Sequence, residues 1–310
     1  MTSTTEQGAG AITETVAVLG AGGMMGFPIT RNIARAGIEV RAWNRSRDKA
    51  APLADDGVHL AGSPAEAVRG AGIVITMLSS AEAVIAVMDG PDGALAAMPR
   101  AAADDPRGAP HPIWVQMSTI GEEATTRCAE LAGTAGVGFV DAPVLGTKQP
   151  AEQGTLVVLE SGPEEARPRV RPVFDAIGSK TLRVGEAGAG SLLKLVANSW
   201  VVSVTSGTAE AVALAESFGL DPNLFFQAVG GGSLDLPYLQ MKGKAMTSRD
   251  FSPSFKLALA AKDAGLVVDS AKKRGLDLPM TEAIAQRMKE GAKEYADLDM
   301  AATFLTYVDR

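Results

Sequence analysis

The chain of 310 residues contains almost no cysteine or histidine. Its single cysteine, Cys128, excludes a disulfide within the chain and is typical of a protein from a reducing compartment. The two histidines, His59 and His111, are too far apart in the sequence to indicate a histidine metal site or a Ser-His-Asp triad. We therefore expect a cytoplasmic protein without a metal site.

Long apolar runs and basic blocks are also missing. No apolar run reaches the roughly 18–20 residues of a membrane-spanning helix, and the net charge is −7 without a cluster rich in lysine and arginine. We therefore expect neither a membrane nor a nucleic acid as a partner. Residues 1–12 lack the basic and apolar segments of a signal peptide and are predicted to be a disordered tail.

The first 188 residues alternate between short apolar runs and helical patterns. Strands are predicted at 15–19, 39–43, 73–78, 113–117, 138–141, 155–160 and 180–184. A helix is predicted at 24–36, and a capping box with proline at the first helical position begins another at Ser63. This alternation predicts a doubly wound parallel sheet over residues 13–188, with a surface loop at 100–112.

Helical patterns alone follow Gly188. The predicted helices are 190–218, one that begins at Asp221-Pro222, 255–274 and 279–295. The chain therefore divides into an α/β domain at 13–188 and an all-α domain at 189–310, joined by a long inter-domain helix. That helix is more apolar than one small domain requires, so we expect part of the helical half to pack against another subunit.

A glycine-rich turn lies between the first strand and the first helix. Glycines at such a turn let the backbone approach a pyrophosphate, and the helix N-terminus supplies amide donors. A purely structural glycine turn is the alternative, and the register is open between G-x-G-x-x-x-G from Gly20 and A-x-G-x-x-G from Ala21. The candidate dinucleotide contacts in this turn are Gly20, Gly22, Gly23, Met24, Met25 and Gly26.

The residues after the second strand bear on which dinucleotide binds. An NAD enzyme usually carries an acidic residue here for the ribose 2′-hydroxyl, but this chain has Asn44, Arg45 and Ser46. A guanidinium matches the geometry of a 2′-phosphate. We therefore expect NADP(H) to be preferred over NAD(H); a solvated basic turn is the alternative.

Lys194 stands inside an apolar helical run, and Asn198 follows on the same face at spacing i,i+4. Burial would lower the lysine pKa toward working pH, as general acid/base catalysis requires. The alternative is a helix with one snorkelling lysine. The side chains expected to keep the site dry are Leu192, Leu193, Leu195 and Val196.

Four motifs in order make the resemblance to a family specific. They are the glycine turn with Met25-Gly26, the run DAPVLGTKQPAEQGTL at 141–156, the pattern G-x-x-x-K-x-x-x-N at 190–198, and the stretch from Phe255-Lys256-Leu257 to Lys262-Asp263. From about residue 15 to 308, the chain resembles the β-hydroxyacid dehydrogenases. That family includes 3-hydroxyisobutyrate dehydrogenases and the glyoxylate/succinic semialdehyde reductases, and residues 148–151 look closest to the reductases.

The resemblance implies an NADP-binding Rossmann domain and a helical substrate and dimerisation domain like that of 6-phosphogluconate dehydrogenase. It implies that Lys194 gives a proton to the carbonyl oxygen during reduction of an aldehyde or keto acid, while Asn198 holds the substrate. It also implies a homodimer or homotetramer. The implied cofactor contacts beyond the turns are Met77, Leu78, Thr119 and Lys262. The implied substrate contacts are Leu145, Gly146, Thr147, Phe255 and Asp263.

One residue departs from the family pattern. Leu145 stands where the family usually has a serine that helps to bind the substrate carboxylate, although Thr147 is nearby. Two other functions therefore stay open. An imine reductase shares the fold and the cofactor turn but generally has Asp or Tyr in place of Lys194. A cofactor-binding scaffold without turnover is the other, and Leu145 is its only support.

Overall fold

The computed structural model describes residues 14–98 and 111–308. The predicted tail at 1–12 and nearly all of the predicted loop at 100–112 lie outside these ranges. The chain forms two compact units. Of the described residues, the sheet unit comprises those up to Thr119 together with Glu123–Ser191, and the helical unit comprises Ile120–Glu122 together with those from Leu192 onward.

Among its described residues, the sheet unit contains nine strands in one sheet. The strands are β1 (Val16–Leu19), β2 (Val40–Trp43), β3 (His59–Leu60), β4 (Ile73–Thr76), β5 (Ile113–Gln116), β6 (Gly138–Asp141), β7 (Val144–Leu145), β8 (Leu156–Ser161) and β9 (Gly178–Gly185). The helices are α1 (Gly26–Arg35), α2 (Arg47–Ala50), α3 (Pro64–Val68), α4 (Ala81–Asp89), α5 (Ala94–Ala97), α6 (Glu122–Ala135), α7 (Lys148–Glu152) and α8 (Arg167–Ile177).

The strand order is β3-β2-β1-β4-β5-β6-β8-β7, with β9 paired to β8. The first six strands run parallel, whereas β8 is antiparallel to β6 through the single pair Asp141↔Ser161. This order reverses direction between β1 and β4, and ligands of such sheets bind at the carboxyl ends of the strands next to the reversal. The doubly wound sheet is therefore confirmed, with an antiparallel addition at one edge.

Burial on both faces explains why the central strands were predictable. Every residue of β1, β4 and β5 is buried, which is why their sequences are nearly continuous apolar runs rather than alternating ones. Their side chains join those of α1 and α8 in one apolar core that includes Ile29 and Phe174. All seven predicted strands are present within about two residues of their predicted ends.

The helical unit contains helices only, apart from one isolated β-bridge between Lys256 and Asp299 in the described residues. The helices are α9 (Ala189–Ser217), α10 (Asn223–Val229), α11 (Pro237–Ser248), α12 (Leu257–Lys273), α13 (Pro279–Tyr295) and α14 (Leu305–Val308). Helix α9 begins in the sheet unit and continues into the helical unit. The core of this unit includes Val202, Met246, Leu257, Met288 and Phe304.

Across residues 14–98 and 111–308, no helix is long and apolar enough to cross a bilayer. The lone Cys128 is fully buried in α6. Burial and the neighbouring Asp141 carboxylate raise the pKa of its thiol to about 12. Cys128 therefore packs as a small apolar side chain and is not a thiolate nucleophile at neutral pH.

Candidate functional site

The glycine turn follows β1 and is tied to the end of β2. The amides of Gly20 and Ala21 both donate to the carbonyl of Trp43, at 2.8 and 3.1 Å, and the Gly23 amide donates to the Gly20 carbonyl at 3.1 Å. Helix α1 then starts at Gly26 with Met25 as its N-cap, and no side chain occupies the cap. The Phe27 amide donates to the Gly23 carbonyl at 2.9 Å and Pro28 has no amide hydrogen, which leaves Gly26 as the one amide among the first three residues of α1 that an anion can use.

Three of the four glycines in this turn leave no room for a side chain. A Cβ at Gly20 would lie 2.2 Å from the Met77 carbonyl oxygen, and one at Gly26 would lie 2.1 Å from the Gly20 carbonyl oxygen. A Cβ at Gly22 would lie 2.6 Å from Asn44, whereas one at Gly23 would come no closer than 3.3 Å to any neighbour. The steric requirement thus matches the pattern G-x-G-x-x-x-G from Gly20. This glycine cradle fits a pyrophosphate, which the backbone must approach closely.

The polar residues after β2 are placed at the same end of the sheet. The Asn44 amide donates to the Ser46 carbonyl at 2.8 Å, which shapes the turn. Arg45 is exposed, and within the described part of the chain its guanidinium has no hydrogen bond or ion pair. An exposed guanidinium without such a partner is available to bind a phosphate.

Met77, Leu78 and Thr119 follow the neighbouring strands β4 and β5, and all three are half-buried. Sequence reasoning missed the network that holds them. The Ser118 hydroxyl accepts from the Leu78 amide at 2.9 Å, and the Gln116 side chain bonds to both backbone groups of Ser118 at 2.7 Å. Gln116 and Ser118 are buried, so these bonds fix where β4 and β5 end.

The predicted substrate residues of the sheet unit lie on one short stretch. Leu145 ends β7 and pairs with Val157 of β8. Gly146 has φ +126°, and a Cβ there would lie 2.7 Å from the Leu156 side chain. Thr147 is the N-cap of α7, but its hydroxyl makes no capping hydrogen bond.

In the helical unit, the structure brings Asn198 together with Lys262 and Asp263. Asn198 is buried on α9, and its side-chain amide donates to Asp263 Oδ2 at 2.8 Å. Lys262 Nζ lies 2.9 Å from the other carboxylate oxygen, Asp263 Oδ1. Lys194 lies one turn before Asn198 on the same face of α9.

The charges of this cluster shift one another's titration. Burial lowers the pKa of Lys194 below its ordinary value; the carboxylate of Asp263 opposes this shift, and the ammonium of Lys262 adds to it. Burial raises the pKa of Asp263, while Lys262, Lys194 and Asn198 act in the opposite direction. A lysine of lowered pKa beside a buried carboxylate can give and take a proton closer to neutral pH than a surface lysine can.

The apolar neighbours of Lys194 in the sequence do not enclose it as expected. Leu195 is buried, but Leu192 is 36% exposed and Val196 is 64% exposed. In a helix, residues one or two positions away point to other faces. The run that suggested a dry lysine is therefore partly a surface of α9.

Asp141 is another residue whose contacts the sequence did not indicate. Its buried carboxylate accepts from the Ser191 amide and hydroxyl, both at 2.7 Å, and from the Ser161 hydroxyl at 3.2 Å. Ser161 in turn accepts from the Gly190 amide at 2.9 Å, and a Cβ at Gly190 would lie 2.4 Å from the Leu159 carbonyl oxygen. These bonds satisfy the free amides at the start of α9. Asp141 opens the motif at 141–156, but its observed contacts anchor a helix.

Phe255 lies just before α12, half-buried against the core of the helical unit. His59 and His111 are both exposed. In the parts of the chain that the structure describes, no group of three or more histidine, cysteine or acidic side chains could hold a metal ion.

Two family models match the chain in the order of its units. Residues 15–185 match the NAD binding domain of 6-phosphogluconate dehydrogenase. Residues 188–307 match the family described as NAD-binding of NADP-dependent 3-hydroxyisobutyrate dehydrogenase. Both halves of the chain thus match oxidoreductase domains.

Individual relatives agree with these models. The chain is 30% identical to glyoxylate/succinic semialdehyde reductase 2 of Arabidopsis thaliana over 90% of its own length and 76% of that protein's. It is 32% identical to the 3-hydroxyisobutyrate dehydrogenase of Pseudomonas aeruginosa, over 83% of this chain and 85% of that one. The Mycobacterium tuberculosis 3-hydroxyisobutyrate dehydrogenase, solved with L-serine, superposes with a TM-score of 0.81 at 31% identity and covers 94% of this chain and 98% of that one.

The glycine cradle gives a first prediction. Gly26→Ala places a methyl group against the Gly20 carbonyl, so the turn must shift. We expect it to lower the free energy of unfolding by about 1–3 kcal/mol, as overpacking does. Gly133→Ala, in the interior of α6 where a Cβ meets nothing within 4 Å, should instead be stabilising by up to about 1 kcal/mol. Urea unfolding measures both, and equal effects would contradict the steric requirement at Gly26.

Proposed function

The chain belongs to the β-hydroxyacid dehydrogenase family, and from this premise we propose that it reduces a small aldehyde or keto acid with NADPH, or oxidises the matching hydroxy acid with NADP⁺. One observation carries the proposal: burial lowers the pKa of Lys194, which lies one helical turn before Asn198 on α9. The Asn198 side chain in turn donates to Asp263. In this proposal Lys194 is the general acid/base.

The residues of the sheet unit fit an NADP(H) molecule. Gly20, Gly22 and Gly26 leave the space that a pyrophosphate needs, and Arg45 offers an exposed guanidinium for a 2′-phosphate. We assign Met77, Leu78 and Thr119, at the ends of β4 and β5, to the cofactor site as well. When bound, the nicotinamide supplies or accepts the hydride.

Lys194 performs the proton transfer that accompanies reduction. The carbonyl oxygen becomes a hydroxyl when the carbon gains a hydride, so it must take one proton. Protonated Lys194 donates that proton from Nζ, and in the oxidation direction neutral Lys194 removes it. The Asn198 amide nitrogen donates to Asp263, and we assign its carbonyl oxygen, an acceptor, to a substrate hydroxyl.

The substrate class follows from the relatives together with Leu145. Relatives named for semialdehydes and for 3-hydroxyisobutyrate support a short carbonyl acid. Leu145 offers no hydrogen bond where the family has a serine, which leaves Thr147 as the neighbouring hydroxyl for a carboxylate. We therefore propose a substrate whose carboxylate is bound less tightly, or a less polar aldehyde.

We assign residues 13–188 to cofactor binding and residues 189–310 to substrate binding and subunit association, in a cytoplasmic enzyme. The second assignment is supported by exposed apolar side chains on and after α9. Trp200 is 63% exposed and Phe218 is 68% exposed, and Val196, Leu214, Leu220 and Leu224 are exposed as well. Apolar surface of this kind is typical of a protein interface, and we propose that a second copy of the chain covers it in a homodimer or homotetramer.

Lys194→Ala tests the catalytic assignment. We expect turnover to fall about 10²–10⁴-fold, the usual contribution of a general acid/base, while NADPH binding is retained. Turnover is measured as the fall in NADPH absorbance, with glyoxylate, succinic semialdehyde, methylmalonate semialdehyde, uncharged aldehydes and cyclic imines as candidate substrates. Lys244→Ala, which removes an exposed lysine of α11, is the matched control.

The pH profile adds an independent check. Reduction needs protonated Lys194, so its rate should fall as the pH rises through a lysine pKa below the ordinary value. Turnover of Lys194→Ala near the wild-type rate would rule out the assignment. Activity on cyclic imines alone would indicate an imine reductase, and NADPH binding without any turnover would indicate a scaffold.

Arg45→Ala tests the cofactor preference. Loss of a charge-assisted hydrogen bond to the 2′-phosphate, worth about 1.5–3 kcal/mol, should weaken NADPH binding roughly 10–100-fold and leave NADH binding unchanged. Fluorescence titration of both cofactors measures the ratio. Arg127→Ala, an exposed arginine of α6 paired with Glu130, should change neither affinity. An equal loss for NADPH and NADH would contradict a phosphate contact.

Trp200→Glu tests subunit association. Light scattering of the wild type should give at least twice the 31.9 kDa mass of one chain, because a second copy covers the apolar surface. A charge at position 200 should shift the population toward monomer, since burying it without a partner is costly. A wild-type monomer at micromolar concentration would contradict the proposal.

A further inference from the structure

A buried ion pair lies in the helical unit, apart from Lys194 and Asp263 in the sequence. Lys242 of α11 is 2% exposed, and its Nζ lies 2.6 Å from Asp299 Oδ1, itself in a residue that is 3% exposed. Lys242 also donates to the Ser254 hydroxyl at 3.2 Å and lies over the Tyr238 ring. Sequence reasoning did not single out either charged residue.

Asp299 collects donors from the segment that leads into α12. Its Oδ2 accepts from the Ser254 amide at 2.9 Å, the Ser254 hydroxyl at 2.8 Å and the Phe255 amide at 3.2 Å. Its Oδ1 accepts from the Ala301 amide at 2.9 Å as well as from Lys242. One carboxylate thus holds three donors of residues 254 and 255.

Hydrogen bonds hold the backbone of Phe255 at both its amide and its carbonyl. Its amide donates to Asp299, and its carbonyl accepts from the Met300 amide at 2.7 Å. Immediately afterwards, the Leu257 amide donates to the Leu298 carbonyl at 2.9 Å, where α12 begins. The direction of the Phe255 side chain therefore depends on where residues 298–300 hold its backbone.

The ammonium of Lys242 is what lets Asp299 do this as an anion. Burial alone would raise the pKa of Asp299, but Lys242 and the surrounding donors hold it below its ordinary value. A buried carboxylate that loses its cation must take up a proton, admit water or move. Each of these changes weakens or redirects the bonds to Ser254 and Phe255.

We propose that Lys242 and Asp299 are positioning residues for substrate binding, which act by fixing the backbone of Phe255 at the entrance to α12. This inference rests on the proposed function and on the role that the family resemblance implies for Phe255, a contact of the substrate. It assigns a specificity role to two residues that touch neither the cofactor nor the reacting atoms. The alternative is an ion pair that only stabilises the fold.

A double-mutant cycle with Lys242→Met and Phe255→Ala separates these two roles. If Lys242 acts through Phe255, each single variant should raise KM for the carbonyl substrate roughly tenfold, a common effect of an altered apolar pocket contact. The double variant should show no further rise, because the two changes remove the same contact. The NADPH dissociation constant and the pH profile of kcat should stay unchanged.

Two further variants serve as controls for this cycle. Lys272→Met removes an exposed lysine that pairs with Glu282 at 2.6 Å between α12 and α13, and KM should not change. Ser254→Ala removes one donor to Asp299 and keeps the ion pair, so a smaller rise in KM is expected even if Lys242→Met folds poorly. A lowered melting temperature of Lys242→Met with wild-type KM would overturn the proposal, as would effects that multiply in the double variant.

Hydrogen exchange reports on the same contact without any turnover. The amides of residues 254 and 255 should exchange faster in Lys242→Met than in the wild type, while the amides of β1 and β4 keep their protection. Unchanged exchange at these two amides would overturn the positioning role. If the exchange changes as expected but no carbonyl compound is reduced, the proposed function fails and the positioning contact stands.

Discussion

The buried carboxylate of Asp141 is the contact on which much of the chain depends. It lies where β6 forms its single pair with β8, so it marks the change from parallel to antiparallel pairing in the sheet. The same carboxylate holds the Ser191 amide and hydroxyl. Burial raises the pKa of Asp141, against the donors from Ser191 and Ser161. One desolvated carboxylate therefore links the β6–β8 pair to the first turn of the helix that carries Lys194.

Two lysines of the helical unit, Lys194 and Lys242, differ in burial and in how closely they are paired: Lys242 is 2% exposed, whereas Lys194 is only partly buried. Lys242 has a carboxylate 2.6 Å away and takes part in a network that fixes backbone. Lys194 is near Asp263, but that carboxylate is already held by Asn198 and Lys262. Burial lowers the pKa of both lysines. A cation whose nearby anion is engaged elsewhere suits proton transfer, whereas a closely paired one suits structure.

The sequence predicted those features that local patterns determine. The central strands were found because their apolar runs follow directly from burial. Helix α9 was found from its long helical pattern, although part of its apolar surface is exposed. Strands β3 and β7 have two residues each, too few to show a period. Asp141 and Ser191 are 50 positions apart, and Lys242 and Asp299 are 57 apart. The glycine register likewise needed a distance, that from Gly26 to the Gly20 carbonyl. Such contacts depend on the three-dimensional path of the chain.

The buried Cys128 has a practical consequence. A thiol with a pKa of about 12 and no exposed surface is almost entirely protonated at neutral pH and out of reach of alkylating reagents. Thiol reagents therefore have no accessible thiol to attack in the native protein. A cysteine introduced at any exposed position can consequently be labelled alone, with the natural thiol left in place as a silent background.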